Sequence, residues 1–244
     1  MKLIIDIGNT RIKAALFDKN ELKQNFVFET IADLIKADLF KTYSIENCII
    51  ATVVNEIEGF INELKSKTNI LLFTDKTNLP IKNLYKSTST LGSDRLAAAV
   101  GGNFIFPDKN VLIIDAGTCI KYNFLSKNNE YLGGGISPGL KMRFKSLPAF
   151  TSRLPLIEME EVFNNLIGAD TRESILSGVE LGAIAEVDGI IERYKSIYED
   201  LTVVFTGGDF NFFVKRLKNS IFADQFLILR GLNVILDYNF NAKT

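Results

Sequence analysis

Along the chain, short apolar runs with strand-like spacing alternate with longer segments whose apolar residues recur every three or four positions. Residues 2–7 read as a strand, 11–17 as its hairpin partner and 24–28 as a third strand of a meander. The spacing over 30–40 then predicts a helix. An apolar, β-branched run at 48–54, helical periodicity over 56–67 and a second buried run at 69–74 form a β-α-β unit, which implies a parallel portion of sheet.

A polar loop over 75–90 leads into a predicted helix at 94–106. Strands follow at 111–115 and 119–125, with Tyr131 after them. The chain restarts here: Asp6-Ile7-Gly8-Asn9-Thr10 closes the first strand and Asp115-Ala116-Gly117-Thr118-Cys119 closes the later one, each after an apolar run and before another strand. Beyond lie a helix near 137–150, a long helix from 171 to about 198, a strand at 202–205, Gly207-Gly208 with a helix, a segment at 226–229 and a final helix from Gly231. The expectation is α/β: two domains of related topology with mixed sheets, 1–112 and 113–244, a nucleotide cleft between them, and the final helix packing back on the first.

Hydrophobic residues make up 47% of the chain, enough to bury a substantial core in either domain. Lys and Arg total 28 against 29 Asp and Glu, with the signs interspersed, so no basic field exists to hold nucleic acid or an anionic membrane. The start MKLIIDIG lacks the features of a signal peptide, and no run approaches the roughly 18 apolar residues of a membrane span. Cys48 and Cys119 have no CxxC spacing, which fits reduced thiols and a cytoplasmic location. The chain has no histidine, which removes Ser-His triads and His-based zinc sites and leaves acid–base work to carboxylates, Lys or Tyr.

A carboxylate at a strand end, then glycine, then small amide and hydroxyl side chains is what a phosphate-wrapping hairpin needs, and Lys13 adds charge. Alone, Asp6-Ile7-Gly8-Asn9 fits an ordinary hairpin turn equally well. Two copies change the weighing, because together they can clamp a nucleoside triphosphate, with Asp6 and Asp115 able to hold a cation or its water shell. Gly207 and Gly208, after a buried strand, would let backbone approach adenine or ribose. At Gly92-Ser93-Asp94-Arg95 an acid and a guanidinium open a helix. Asp94 could take a proton from an attacking hydroxyl and Arg95 could hold an acid in a bidentate fork, or the pair could be a first-turn carboxylate and a surface residue.

Read in order, DIGNTRIK at 6–13, GSDR at 92–95, DAGTC at 115–119, GGGISPGL at 133–140, DTRESILSG at 170–178 and TGGDF at 206–210 resemble the type III pantothenate kinases over almost the whole chain. The resemblance implies the actin-like ATPase fold, two ribonuclease H-like domains, and transfer of the ATP γ-phosphate to the primary hydroxyl of pantothenate. Carried over by motif, Asp6, Ile7, Gly8, Asn9, Thr10, Arg11, Ile12 and Lys13 line the ATP phosphates, and Thr118 contacts ATP from the second hairpin. Asp94 resembles the catalytic base, and Gly92, Ser93, Asp94 and Arg95 meet pantothenate. Tyr85 and Thr171 fall where the family touches pantothenate. Tyr85 also fits an ordinary loop aromatic, and Thr171 also suits an N-cap for a helix beginning at Arg172.

The resemblance further implies Mg²⁺ with ATP, through water on Asp6, an activating monovalent cation (K⁺ or NH₄⁺) on Asp115, and a homodimer with its active site near the interface. One departure stands out: Lys121 and Asn123 occupy positions where the family has Thr and Asp, so a carboxylate is missing and a fixed positive charge could weaken or replace the potassium requirement. Two rival readings remain open, a kinase for another hydroxylated acid and an ATP-binding accessory protein without turnover.

Overall fold

The computed structural model describes residues 1–53, 57–160 and 163–241. It divides into two compact units, one of residues 1–107, 129–131 and 226–244, the other of 108–128 and 132–225. Val54 and Glu56, expected at a strand end and a helix start, lie outside the described residues.

In the first unit β1 (Lys2–Ile7) pairs antiparallel with β2 (Ile12–Asp18), which pairs antiparallel with β3 (Glu21–Phe28). The predicted helix over 30–40 is two pieces, α1 (Ile31–Lys36) and α2 (Leu39–Thr42). Thr30 opens the first with a capping box shared with Asp33, and the chain breaks at Asp38, which adopts a left-handed φ of 41°. Then β4 (Asn47–Thr52), α3 (Glu58–Lys65) and β5 (Asn69–Leu72) complete the expected β-α-β unit, giving a mixed sheet of order β3-β2-β1-β4-β5. Leu3, Ile5 and Ile7 face one core with Cys48, Ile50 and Phe60.

The polar loop is not structureless: it holds β6 (Lys82–Asn83) and a 3₁₀ turn at Thr88–Thr90 before α4 (Ser93–Ile105). Against α4 lies the C-terminal helix, Leu227–Asn241, so the apolar residues at 226–229 are no separate segment and that helix starts four residues earlier than Gly231. The two helices meet at small residues. A Cβ on Gly231 would stand 1.8 Å from the Ala97 carbonyl oxygen, and one on Gly101 2.4 Å from that of Leu227.

The second unit repeats the pattern. β7 (Asn110–Ala116) pairs antiparallel with β8 (Cys119–Leu125). β9 (Glu130–Gly133) gives its first two residues to the first unit, where they run parallel with β6. The helix expected near 137–150 starts later, as α5 (Leu140–Phe150), because Ile136–Pro138 is β10, paired antiparallel with β8. The long helix becomes α6 (Thr171–Leu176), a π-helical turn at Ser177–Leu181 and α7 (Gly182–Lys195). β11 (Leu201–Thr206), α8 (Phe210–Val214) and β12 (Phe222–Ala223) follow, with β11 parallel to both β7 and β12. The order β12-β11-β7-β8 thus mirrors β5-β4-β1-β2, an antiparallel hairpin followed by two parallel neighbours in each unit.

Candidate functional site

Local pairing fixes the first hairpin. Asp6 is opposite Lys13 and Ile7 opposite Ile12, so the turn is residues 8–11, closed by the Gly8 N–H donating to the Arg11 carbonyl at 3.1 Å. Ile7 and Ile12 are buried while Asn9, Thr10 and Arg11 are exposed, so the turn is anchored by its apolar base and presents its polar groups to solvent. Such a turn can offer backbone and side-chain donors to an anion.

The same unit brings Tyr85, Gly92, Asp94 and Arg95 together. Asp94 is in the first turn of α4, where the helix dipole favours its negative charge, and its Oδ1 accepts from the Arg95 N–H at 2.8 Å. A Cβ at Gly92 would sit 2.5 Å from that same Oδ1, so only glycine leaves the carboxylate where it is. Arg95 is not a surface residue: it is 5% exposed, its guanidinium carbon 5.5 Å from the Tyr85 ring centroid and 6.0 Å from that of Tyr131. Tyr85 is half-buried in the loop and packs on this guanidinium. Its N–H donates to Asn83 Oδ1 at 3.0 Å, and its ring lies 6.3 Å from the fully buried Tyr131. Tyr131 was absent from the sequence-based candidates because its approach depends on β6 pairing with residues 130–131, which local periodicity does not reveal.

In the second unit the hairpin of Asp115 is gripped from beside it. Asp115 is level with Thr206 on parallel β11, and the chain after Thr206 turns back over Ala116. Gly207 has φ 108°, and a Cβ there would meet the Ala116 carbonyl oxygen at 2.2 Å, so this position demands glycine on both conformational and steric grounds. The Asp209 N–H donates to the same Ala116 oxygen at 2.9 Å. Thr118 is exposed at the turn, and an added Cβ at Gly117 would lie 3.8 Å from the Gly208 nitrogen, so Asp115, Thr118, Gly207 and Gly208 form one local group.

Charge in this group is nearly balanced. Lys121 Nζ lies 2.9 Å from Asp115 Oδ2. Burial pushes the Asp209 carboxyl up from its ordinary value, with Lys141 pulling it down and Asp115 pushing it further up. Asp209 and Lys141 are additions to the site that the sequence did not single out by role. Among the described residues no group of three or more His, Cys, Asp or Glu side chains could hold a metal ion. Mg²⁺ carried by nucleotide phosphate oxygens needs only a water-mediated acid, which Asp6 can be. A monovalent cation on Asp115 fits poorly, because an ammonium already holds that carboxylate.

Thr171 stands elsewhere in this unit, on a groove of about 890 Å³ lined also by Arg143, Ser146, Asp170, Ser174 and Gly178. The helix cap is Asp170, not Thr171: Asp170 Oδ1 accepts from the Glu173 N–H at 2.8 Å, and Thr171 is already helical. Arg143, which lines the groove, reaches Glu186 Oε2 through Nη2 at 2.5 Å, while Tyr122 and Ser137 donate to Oε1 at 2.9 and 2.5 Å. Burial would raise the Glu186 carboxyl, but these three donors outweigh it and hold it below its ordinary range.

A sequence model of the type III pantothenate kinase family matches residues 2–193. The type III pantothenate kinase of Christiangramia forsetii is 44% identical over 247 residues, covering 98% of this chain and 99% of that protein. Among solved structures, a Campylobacter jejuni protein provisionally described as a Baf family transcriptional activator superposes with a TM-score of 0.63 at 23% identity, covering 98% and 99% of the two chains. A ROK family glucokinase from Streptomyces griseus, solved with glucose and AMPPNP, gives 0.52 at 13% identity with 98% and 99% covered. These two likenesses give the fold, the mixed-sheet α/β architecture of the actin-like ATPases and sugar kinases. The full-length match in sequence goes further: the chain belongs to the type III pantothenate kinase family.

Proposed function

We propose that this protein is an ATP-dependent pantothenate kinase, transferring the ATP γ-phosphate to the primary hydroxyl of pantothenate to give 4′-phosphopantothenate, the first step of coenzyme A synthesis. One observation carries the reading beyond family membership: Asp94 and Arg95 open α4 side by side, the acid unobstructed because residue 92 is glycine, the guanidinium held on aromatic faces. An acid and a fixed cation at one helix start suit an acceptor that carries both a hydroxyl and a carboxylate.

Asp94 then takes the hydroxyl proton as the oxygen attacks the γ-phosphorus in line. The new P–O bond forms as the bond to the ADP oxygen breaks, and ADP leaves. Arg95 holds the pantothenate carboxylate, with Tyr85, Gly92 and Ser93 completing the acceptor contacts of the first unit, and Thr171 is the acceptor contact proposed for the second. In the first unit Asp6, Ile7, Gly8, Asn9, Thr10, Arg11, Ile12 and Lys13 offer a turn for the ATP phosphates; in the second, Thr118 is the candidate ATP contact and Gly207 and Gly208 the candidate nucleoside contacts. Asp6 would meet the Mg²⁺ of ATP through water, and the ion would supply charge neutralisation. The monovalent cation of the family, K⁺ or NH₄⁺, would have to displace the Lys121 ammonium to reach Asp115.

The reading includes a cytoplasmic homodimer; no helix among the described residues is long and apolar enough to cross a membrane. Support for self-association comes from Phe150, Leu156, Leu166 and Ile167, all large apolar side chains more than half exposed. Purified protein with Mg·ATP should release ADP when pantothenate is added and not with other hydroxylated acids. ADP release with another acid alone, or nucleotide binding with no turnover, would replace this function with one of its rivals.

A further inference from the structure

Lys121 sits level with Asp115 across the β7–β8 ladder, as Lys13 sits level with Asp6 across β1–β2. Each unit therefore places a lysine directly opposite the acid one residue from the end of its first strand. In the second unit the contact is explicit, 2.9 Å from Nζ to Oδ2, with the Asp115 side chain 10% exposed and that of Lys121 24%. Lysine reaches this carboxylate because cross-strand neighbours share a face of the sheet at close range.

The environment leaves little reason for a second cation. Two residues on, on the same face of β8, Asn123 is 1% exposed and brings no charge. Asp115 and Lys121 sum to zero formal charge. A potassium ion on the same carboxylate would stand within a few ångströms of a like charge in a place with little water to screen it. A primary ammonium, by contrast, carries the same charge as potassium and donates to the same oxygens that would otherwise ligate the ion.

We infer that the Lys121 ammonium, held by Asp115 beside the nucleotide-binding hairpin, is the built-in monovalent cation of this kinase, so that catalysis needs neither added potassium nor ammonium. The inference rests on the functional reading above. Lys121 acts through Asp115 and the nucleotide rather than on the acceptor hydroxyl, so it is a positioning residue.

The test compares potassium chloride with choline chloride at equal ionic strength, in two assays: pantothenate-dependent ADP release, and calorimetric affinity for Mg·ADP. The wild-type protein should give the same values in both salts. Lys121→Thr, which removes the charge and keeps a strand-forming residue, should lose about tenfold or more in choline, the scale of one lost hydrogen bond to a charged group, and recover in potassium. Lys121→Gln should do the same, guarding against a fold defect peculiar to threonine. A merely structural lysine would give losses that no salt rescues. Potassium activation of the wild type, or equal values in both salts for both variants, would overturn the inference. If pantothenate is not phosphorylated in either salt, the kinase reading fails while the calorimetric arm still decides the role of Lys121.

Discussion

The Arg95 guanidinium lies over the ring of Tyr85, 5.5 Å from its centroid, and is almost wholly withdrawn from water. Stacking of this kind fixes a planar fork in direction, and lysine, a point charge on a flexible stem, cannot reproduce it. Arg95→Lys should therefore raise the KM for pantothenate about tenfold or more, the scale of a lost charge-assisted bond, and leave the KM for ATP unchanged. Initial rates with each substrate varied in turn will show it. An equal rise in both constants would take Arg95 away from the acceptor.

Gly92 and Asp94 make a sharper pair of tests. On the role proposed for Asp94, Asp94→Asn should lower kcat at least about 100-fold while nucleotide affinity stays, the low end for a general base. Gly92→Ala keeps the acid but puts a methyl 2.5 Å from its Oδ1, so the carboxylate must rotate away. It should reproduce part of the kcat loss with little change in thermal stability, since the clash is with the end of a side chain rather than with backbone. Near-normal turnover in Asp94→Asn would assign the proton elsewhere.

How much of this was readable from the chain depends on the range of the interactions. The hairpin at Asp6 was legible because strand, turn and strand all lie within a few residues and the alternation is local. The repeated acid-glycine turn at Asp115 was legible for the same reason. The start of α5 is not legible locally, because Pro138 and Gly139 can open a helix or end a strand, and only pairing with β8 decides. Asp170 and Thr171 are both good caps, and the choice between them rests on a single hydrogen bond. Tyr131 and the buried state of Arg95 were invisible, since both depend on residues 82–83 meeting residues 130–131.

Gly231 shows the same limit, and it yields a stability test. Read locally, a glycine after an apolar run marks a boundary, yet it lies inside the C-terminal helix because that helix presses on α4 there. Helix propensity alone favours alanine by about 1 kcal/mol. The close approach reverses the sign: the added Cβ would stand 1.8 Å from backbone at Ala97, which cannot rotate aside, so the helices must separate. Gly231→Ala should destabilise the protein by about 1–3 kcal/mol in denaturant unfolding, the usual cost of overpacking. A neutral or stabilising result would mean that α4 and the C-terminal helix are not so close in solution.

Glu180 is wholly buried in the π-helical turn between α6 and α7, its Oε2 3.5 Å from Arg216 Nη1 and its Oε1 accepting from the Glu160 N–H at 2.9 Å. Removing only the cation, in Arg216→Met, leaves a buried carboxylate with less compensation and should cost about 3 kcal/mol at neutral pH. Replacing both, with Glu180→Leu added, should return most of that loss, because an apolar pair needs no compensation. The pH dependence follows from burial, which pushes the Glu180 carboxyl up, against the pull of the Glu160 N–H and Arg216. A carboxyl raised in the folded state penalises folding when ionised, fully so above its folded value and not at all below its unfolded one, about 4.3. Losing Arg216 raises it further, so the deficit of Arg216→Met should shrink steadily as pH is lowered toward that range. Thermal unfolding of the wild type and both variants between neutral and mildly acidic pH will decide, and a deficit independent of pH would show that Arg216 stabilises the unit through its packing on Phe212, 4.2 Å from the ring centroid, rather than through its charge.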